Sequence, residues 1–194
     1  RTPMPVPHRA PRPPGWTLLA AGLVATFAAG GAGARELDVP YFPTPQPAVE
    51  KMLEMAEIKS GDFLIDLGSG DGRIPITAAK RYGIRALGVD LDPARVIQAN
   101  EGAKQERVSD KVAFREQDLF DTDLSEATVI TMFLLGSVNL KLRPRLMALK
   151  PGTRILSYGW SMDDWEPDRT ETVDGKPIYL WVVRGEDNRA APAD

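Results

Sequence analysis

The chain has no cysteine and a single histidine, His8, in 194 residues. Without thiols there is no thiolate nucleophile and no disulfide. From Arg35 onward there is also no imidazole for a triad or for a metal set of the usual Cys/His kind, so no metal is expected. The lack of cysteine fits a reducing or an oxidising compartment equally. An excess of positive charge is missing too. Three of the 24 basic residues, Arg1, Arg9 and Arg12, fall in residues 1–34, leaving 21 basic against 27 acidic side chains in residues 35–194, a balance of −6. Such a body has no non-specific pull on nucleic acid. Uncharged apolar length is confined to residues 16–34. With 43% hydrophobic and 26% charged residues, the chain has room for one globular domain with short extras, and no internal repeat divides it.

What the chain does contain is centred on residues 63–73, FLIDLGSGDGR, where a short apolar strand runs into three alternating glycines and a helix start. Gly68, Gly70 and Gly72 let the backbone take positive φ and come close to a ligand, with the first amides of the helix aimed at it. A dinucleotide fingerprint would carry its third glycine one place later; here the pattern is Asp66-x-Gly-x-Gly-x-Gly, with Ser69 inside it. An apolar run such as 63–67 suits a strand buried on both faces. Asp66 within it must be satisfied by loop amides or by a cation on a ligand, such as the ammonium of a methionyl group. The segment resembles the first motif of class I S-adenosylmethionine (SAM) dependent methyltransferases.

Residues 85–90 read as a second strand ending in Asp90, followed by Leu91, where a ribose-binding carboxylate belongs. Asp92 and Pro93 then read as N-cap and first helical position of a helix over 94–106. A third strand, 111–117, closes with Asp118 and Leu119, so Asp66, Asp90 and Asp118 stand at three successive strand ends on the edge where open α/β sheets bind ligands. Residues 127–135 form a central fourth strand. Residues 137–149 form a helix that Pro144 is expected to bend, with Lys141, Arg143 and Arg145 on a face that reads as solvated. A turn and fifth strand cover 150–158, and 170–173 with 178–183 read as a hairpin around Asp174 and Gly175. The expected architecture is α/β: a Rossmann-like, seven-stranded, mostly parallel sheet with helices on both faces and a C-terminal antiparallel hairpin.

The ends carry separate expectations. Residues 1–34 order a basic segment, an apolar run and Ala32-Gly33-Ala34 as a signal peptide does, with an uncleaved membrane anchor as the rival, and either would place the domain outside the cytosol or at a membrane. If the start site is misassigned, a cytoplasmic enzyme is the alternative. The domain is expected over 35–184 and a disordered tail over 185–194. The proline-punctuated stretch 37–47 is expected to lie extended, as linker or as lid, ahead of a helix over 48–58.

Taken together, 41–45, 66–73, Asp118 with Leu119, and 132–135 look closest to the protein-lysine methyltransferases that modify the ATP synthase c subunit and the adenine nucleotide translocase. The resemblance implies SAM as cofactor, a protein lysine as acceptor and possible membrane association through residues 16–34, while the acidic balance speaks against a nucleic-acid partner. It implies that Thr44 donates to the methionine carboxylate from a lid, that Asp118 and the Leu119 amide take the adenine, and that Phe133 and Leu134 wall the acceptor site. Tyr41, Tyr158 and Trp160 are further candidates for that pocket. Where the family pattern has proline after the fourth strand, this chain has Gly136, which bears on acceptor identity. No catalytic base is assigned. A non-catalytic exported SAM-binding domain and a small-molecule methyltransferase remain open readings.

Overall fold

The computed structural model describes residues 42–185. The expected leader and anchor, Tyr41, and the expected tail beyond residue 185 lie outside the described residues. Seven strands form one sheet in the order β3-β2-β1-β4-β5-β7-β6. The first five are β1 (Phe63–Leu67), β2 (Arg85–Asp90), β3 (Val112–Glu116), β4 (Val129–Met132) and β5 (Arg154–Tyr158), all parallel along the β3-β2-β1-β4-β5 run. The hairpin strands β6 (Arg169–Val173) and β7 (Lys176–Val182) close the far edge, with β7 antiparallel to β5. The hairpin turns at Asp174 and Gly175 with φ of 51° and 75°, the positive pair that an Asp-Gly turn supplies.

Alternation along the strands sorts side chains into two apolar layers. On one face Leu64, Ala86 and Val129 pack with α1 (Gln46–Met55), α2 (Arg73–Tyr82) and α3 (Pro93–Gln105). On the other, Ile65, Leu87 and Ile130 pack with α4 (Gly136–Met147) and with Trp165 and Trp181. The caps follow the expected chemistry. The Asp92 side chain accepts from Ala94 N at 2.9 Å with Pro93 next, and Gly83 ends α2 at φ 71°. Pro144 lies inside α4, where it cannot donate to the preceding turn.

The fourth strand is shorter than the apolar run 127–135 implies. Its ladder stops at Met132, paired with Leu67 on β1 and Ser157 on β5, where β1 leaves the sheet at Gly68 with φ 74°. Phe133, Leu134 and Leu135 thereby become a loop over the strand ends rather than part of the sheet.

Candidate active site

A cleft of about 970 Å³, counting the open space at its mouth, lies along the carboxyl ends of β1, β2, β3 and β4. The topology explains the place: β1 is central, and the connections leaving β1 and β4 go to opposite faces, so the strand ends part there. Its walls include the irregular segment from Phe42 to Thr44, the glycine loop, Asp90 with Leu91, and Gln117 to Phe120. Phe133, Leu134 and Val138 close the remaining side.

The floor of the cleft is Asp66. It is 2% exposed, and its Oδ1 accepts from the hydroxyl of Thr131 at 2.7 Å. The two residues are register partners on adjacent parallel strands, and the odd-even alternation puts both on the face covered by α1 and α2. Burial pushes the Asp66 carboxyl up to about 7; the Thr131 hydrogen bond opposes the rise, and the Asp90 and Asp71 charges add to it. Oδ2 has no partner among the described residues. A buried carboxylate with a free oxygen is a donor set for a ligand cation.

Asp90 shapes the loop above it. Gly70 N donates to its Oδ2 at 2.8 Å and Asp92 N to its Oδ1 at 2.9 Å, and each oxygen keeps a second lone pair for a ligand diol. Gly68 N and Ser69 N both donate to Val89 O at 2.9 Å, which folds the loop back over β2. Asp118 accepts from Phe120 N at 2.8 Å through Oδ1, starting a 3₁₀ turn over Leu119–Asp121. Its Oδ2 has no partner among the described residues, so it is available to a base amino group.

Several of these contributions were not signalled by sequence. Arg73 grips the Asp71 carboxylate and donates to Thr44 O at 3.0 Å, tying the 42–44 segment to the head of α2. Arg145 reaches from α4 to the carbonyls of Leu119, Phe120 and Thr122, so the expected solvated face contains a clamp on the cleft wall. Gly88 is needed because a Cβ there would meet the Phe114 ring at 2.5 Å and Ser69 Oγ at 2.6 Å. Thr131 could have been noticed as a polar break in an apolar run; the other three depend on long-range contacts.

Of the expected site residues, the cleft brings together Thr44, Asp66, Gly68, Ser69 and Gly70 with Asp90, Leu91, Asp118 and Leu119. Phe133 and Leu134 join them. Gly72 does not line the cleft: its φ is 78° and a Cβ there would run into Phe114 at 2.5 Å and Ala99 at 2.8 Å, so it serves the packing of α2. Tyr158 is buried, with its ring edge-on to Phe133 at a centroid distance of 4.9 Å, and also stands outside the wall. Trp160 is 48% exposed and lies across Gly136, where an added Cβ would come within 3.2 Å of the indole. Among the described residues no His, Cys, Asp and Glu cluster could hold a metal.

The donor set tests well against SAM. A buried acid with a free oxygen suits the ammonium, a carboxylate with spare lone pairs suits the ribose hydroxyls, and an acid beside apolar Leu119 and Phe120 suits adenine. The comparisons agree. A family model described as the ANTKMT methyltransferase domain matches residues 66–169. A protein-lysine N-methyltransferase of Saccharolobus islandicus (strain REY15A) is 42% identical over 151 residues, spanning 75% of this chain and 94% of that protein. A lysine N-methyltransferase of Homo sapiens, named for the c subunit of ATP synthase, is 32% identical over 179 residues, spanning 90% of this chain and 76% of that one. Among solved structures, an RNA methyltransferase from Salinibacter ruber in complex with S-adenosyl-L-homocysteine (SAH) is 48% identical with a TM-score of 0.74, covering 79% of this chain and 98% of its own. The chain therefore belongs to the ANTKMT methyltransferase domain family and is a SAM-dependent methyltransferase.

Proposed function

We propose that this enzyme methylates the side-chain amine of a protein lysine. The observation that carries the reading is an aromatic pair beside the cleft, Phe133 and Tyr158, against which an alkylammonium already rests: Lys176 Nζ stands 5.2 Å and 5.8 Å from the two ring centroids. The relatives' names support a protein lysine, and the human relative is named for the c subunit of ATP synthase.

SAM, when bound, supplies a methyl group on a sulfonium, open to in-line displacement with little covalent work for the protein. Asp66 would hold the ammonium, Asp90 the ribose and Asp118 the adenine, with the Gly68 and Gly70 backbone close to the chain between them. Thr44, tied down through Arg73, would close the methionine end. Leu134 and Val138 exclude water from the wall, which disfavours a charged acceptor and favours the free amine that must attack.

One observation favours a second acceptor, since the 48% identical neighbour is named an RNA methyltransferase. The acidic balance of residues 35–194 argues against it. Incubation with methyl-labelled SAM and a cell extract separates the readings. Methyl-lysine in a protease-sensitive band is the expected result. Label in nuclease-sensitive material would replace lysine with RNA, label in a soluble metabolite would make this a small-molecule enzyme, and SAH binding with no label anywhere would leave a binding domain. We also place the enzyme at a membrane, from the uncharged apolar run of residues 16–34. Among the described residues no helix is long and apolar enough to cross one. Cell fractionation with sequencing of the mature N terminus tests this placement.

A further inference from the structure

We propose that Lys176 is itself a methyl acceptor of this enzyme, a self-modification site held against the wall of its own cleft. The proposal rests on the methyltransferase reading above and extends it to a residue of the chain.

Lys176 opens β7 directly after the Asp174-Gly175 turn. Its backbone is fixed by the ladder, paired with Val173, and the next residue's carbonyl accepts from Gly159 N at 2.7 Å. The side chain is exposed, and its flexible four-carbon stem carries the ammonium to two rings: Phe133, which lines the cleft, and Tyr158, which packs edge-on to Phe133. Other lysines are tied to carboxylates, Lys51 to Glu54 and Lys80 to Glu106. The Lys176 ammonium makes no ion pair or hydrogen bond among the described residues, and ring faces are what hold it.

Lys141 is the instructive comparison, because its Nζ also stands over a ring of the cleft wall, 6.0 Å from Phe120. Phe120 belongs to the 3₁₀ turn after β3, on the flank where Asp118 stands. Phe133 follows Met132, the register partner of Leu67, and lines the cleft with Gly68 and Asp66, the carboxylate suited to the ammonium of the methionyl end. Of the two lysines whose ammonium stands over a wall ring among the described residues, Lys176 is the one at the methionyl end. Rotation about its own side-chain bonds frees Nζ from the ring faces without shifting β7.

The step balances with the cofactor of the established activity as the only co-reactant. The Lys176 ammonium releases a proton to solvent, and the amine lone pair forms the N–CH₃ bond as the S–CH₃ bond breaks. That electron pair stays on sulfur, leaving SAH and a methyl-lysine that regains positive charge. The product keeps its affinity for ring faces, so a modified Lys176 remains against Phe133 and Tyr158.

The test uses the full purified chain. Incubated with SAM carrying labelled methyl groups, it is expected to gain methyl mass on the peptide containing Lys176, with a rate constant unchanged when the enzyme is diluted. Lys176→Arg removes that label while its affinity for SAH, by calorimetry, stays as in the parent. A second readout needs no turnover: reductive dimethylation with carbon-13 formaldehyde gives each lysine an NMR signal. That of Lys176 is expected upfield of the others through ring currents, moving on SAH addition and returning to the main envelope in Phe133→Leu. The proposal is overturned if SAH binds and another protein is labelled while Lys176 stays unmodified. It also fails if modification accelerates with enzyme concentration or the Lys176 resonance is unshifted. A chain that binds no SAH overturns the methyltransferase reading and this one with it.

Discussion

Asp66 stands where a carboxylate is costly and binding makes it useful. Its value in the folded protein, about 7, lies above its ordinary 3.8, so the folded protein holds this proton more tightly than the unfolded chain. Stability of the free protein therefore falls as pH rises from about 3.8 to about 7 and is level above that. A bound ammonium reverses the balance because it needs the carboxylate ionised. Affinity for SAH is thus expected to weaken about tenfold per pH unit below about 7 and to be flat above it. Calorimetry in buffers of different ionisation enthalpy would register the released proton. Asp66→Asn should raise the stability of the free protein at mildly alkaline pH by on the order of 1–3 kcal/mol and cost at least tenfold in SAH affinity. A pH-independent affinity in the parent would remove Asp66 from the ammonium. The acid itself was legible as a polar interruption of an apolar strand before glycines. Its partner Thr131 was not, because the hydrogen bond depends on which strands are neighbours and in what register.

At the scale of elements, the glycine loop is shaped as much by what packs under it as by what binds over it. Phe114 on β3 fills the space that side chains at Gly72 and Gly88 would need. Gly88→Ala is expected to cost about 1–3 kcal/mol in urea unfolding, and Phe114→Leu, which shortens the obstructing ring, should recover part of it. Gly72→Ala should not be recovered in the same way, since its φ of 78° strains any side chain whatever the space. The clamp of α4 on the 119–122 segment gives a second prediction at this scale. Arg145 spans three carbonyls that a lysine cannot bridge together, so Arg145→Lys and Arg145→Ala should both weaken SAH binding by about tenfold with a smaller effect on thermal unfolding. Unchanged affinity in both would make the clamp purely structural. The helices and strands were legible where local signals end them: the Asp92 cap, the Gly83 cap and the Asp-Gly turn. The end of β4 was misjudged because nothing in residues 127–135 records that β1 departs at Gly68.

Across the whole molecule, the sheet separates its binding edge from a fastening edge. At the amino ends of β1 and β5, Asp62 accepts from Arg154, Thr128 and Lys59 N, while Arg154 also donates to the carbonyls of Ala56 and Glu57 after α1. Burial works against the Asp62 carboxyl, but Arg154, the Lys59 amide and Thr128 together hold it below its ordinary 3.8. Because this value is depressed on folding, its stabilisation is complete above 3.8 and is lost as pH falls through the lower folded value, the opposite sign to Asp66. The two carboxylates together predict a free protein whose contribution from them is greatest near pH 4 and declines on both sides, in acid through Asp62 and towards about 7 through Asp66. SAH should lift the neutral side alone. Arg154→Met, which leaves Asp62 nearly buried without its cation, is expected to cost about 3 kcal/mol at neutral pH and to abolish the acid limb, while SAH affinity of the folded fraction stays as in the parent. Thermal unfolding from pH 3 to 9, with and without SAH, reads both limbs in one experiment. If Arg154→Met altered the ligand-dependent limb, the two edges would be coupled through β1, and the separation of fastening from binding would be lost.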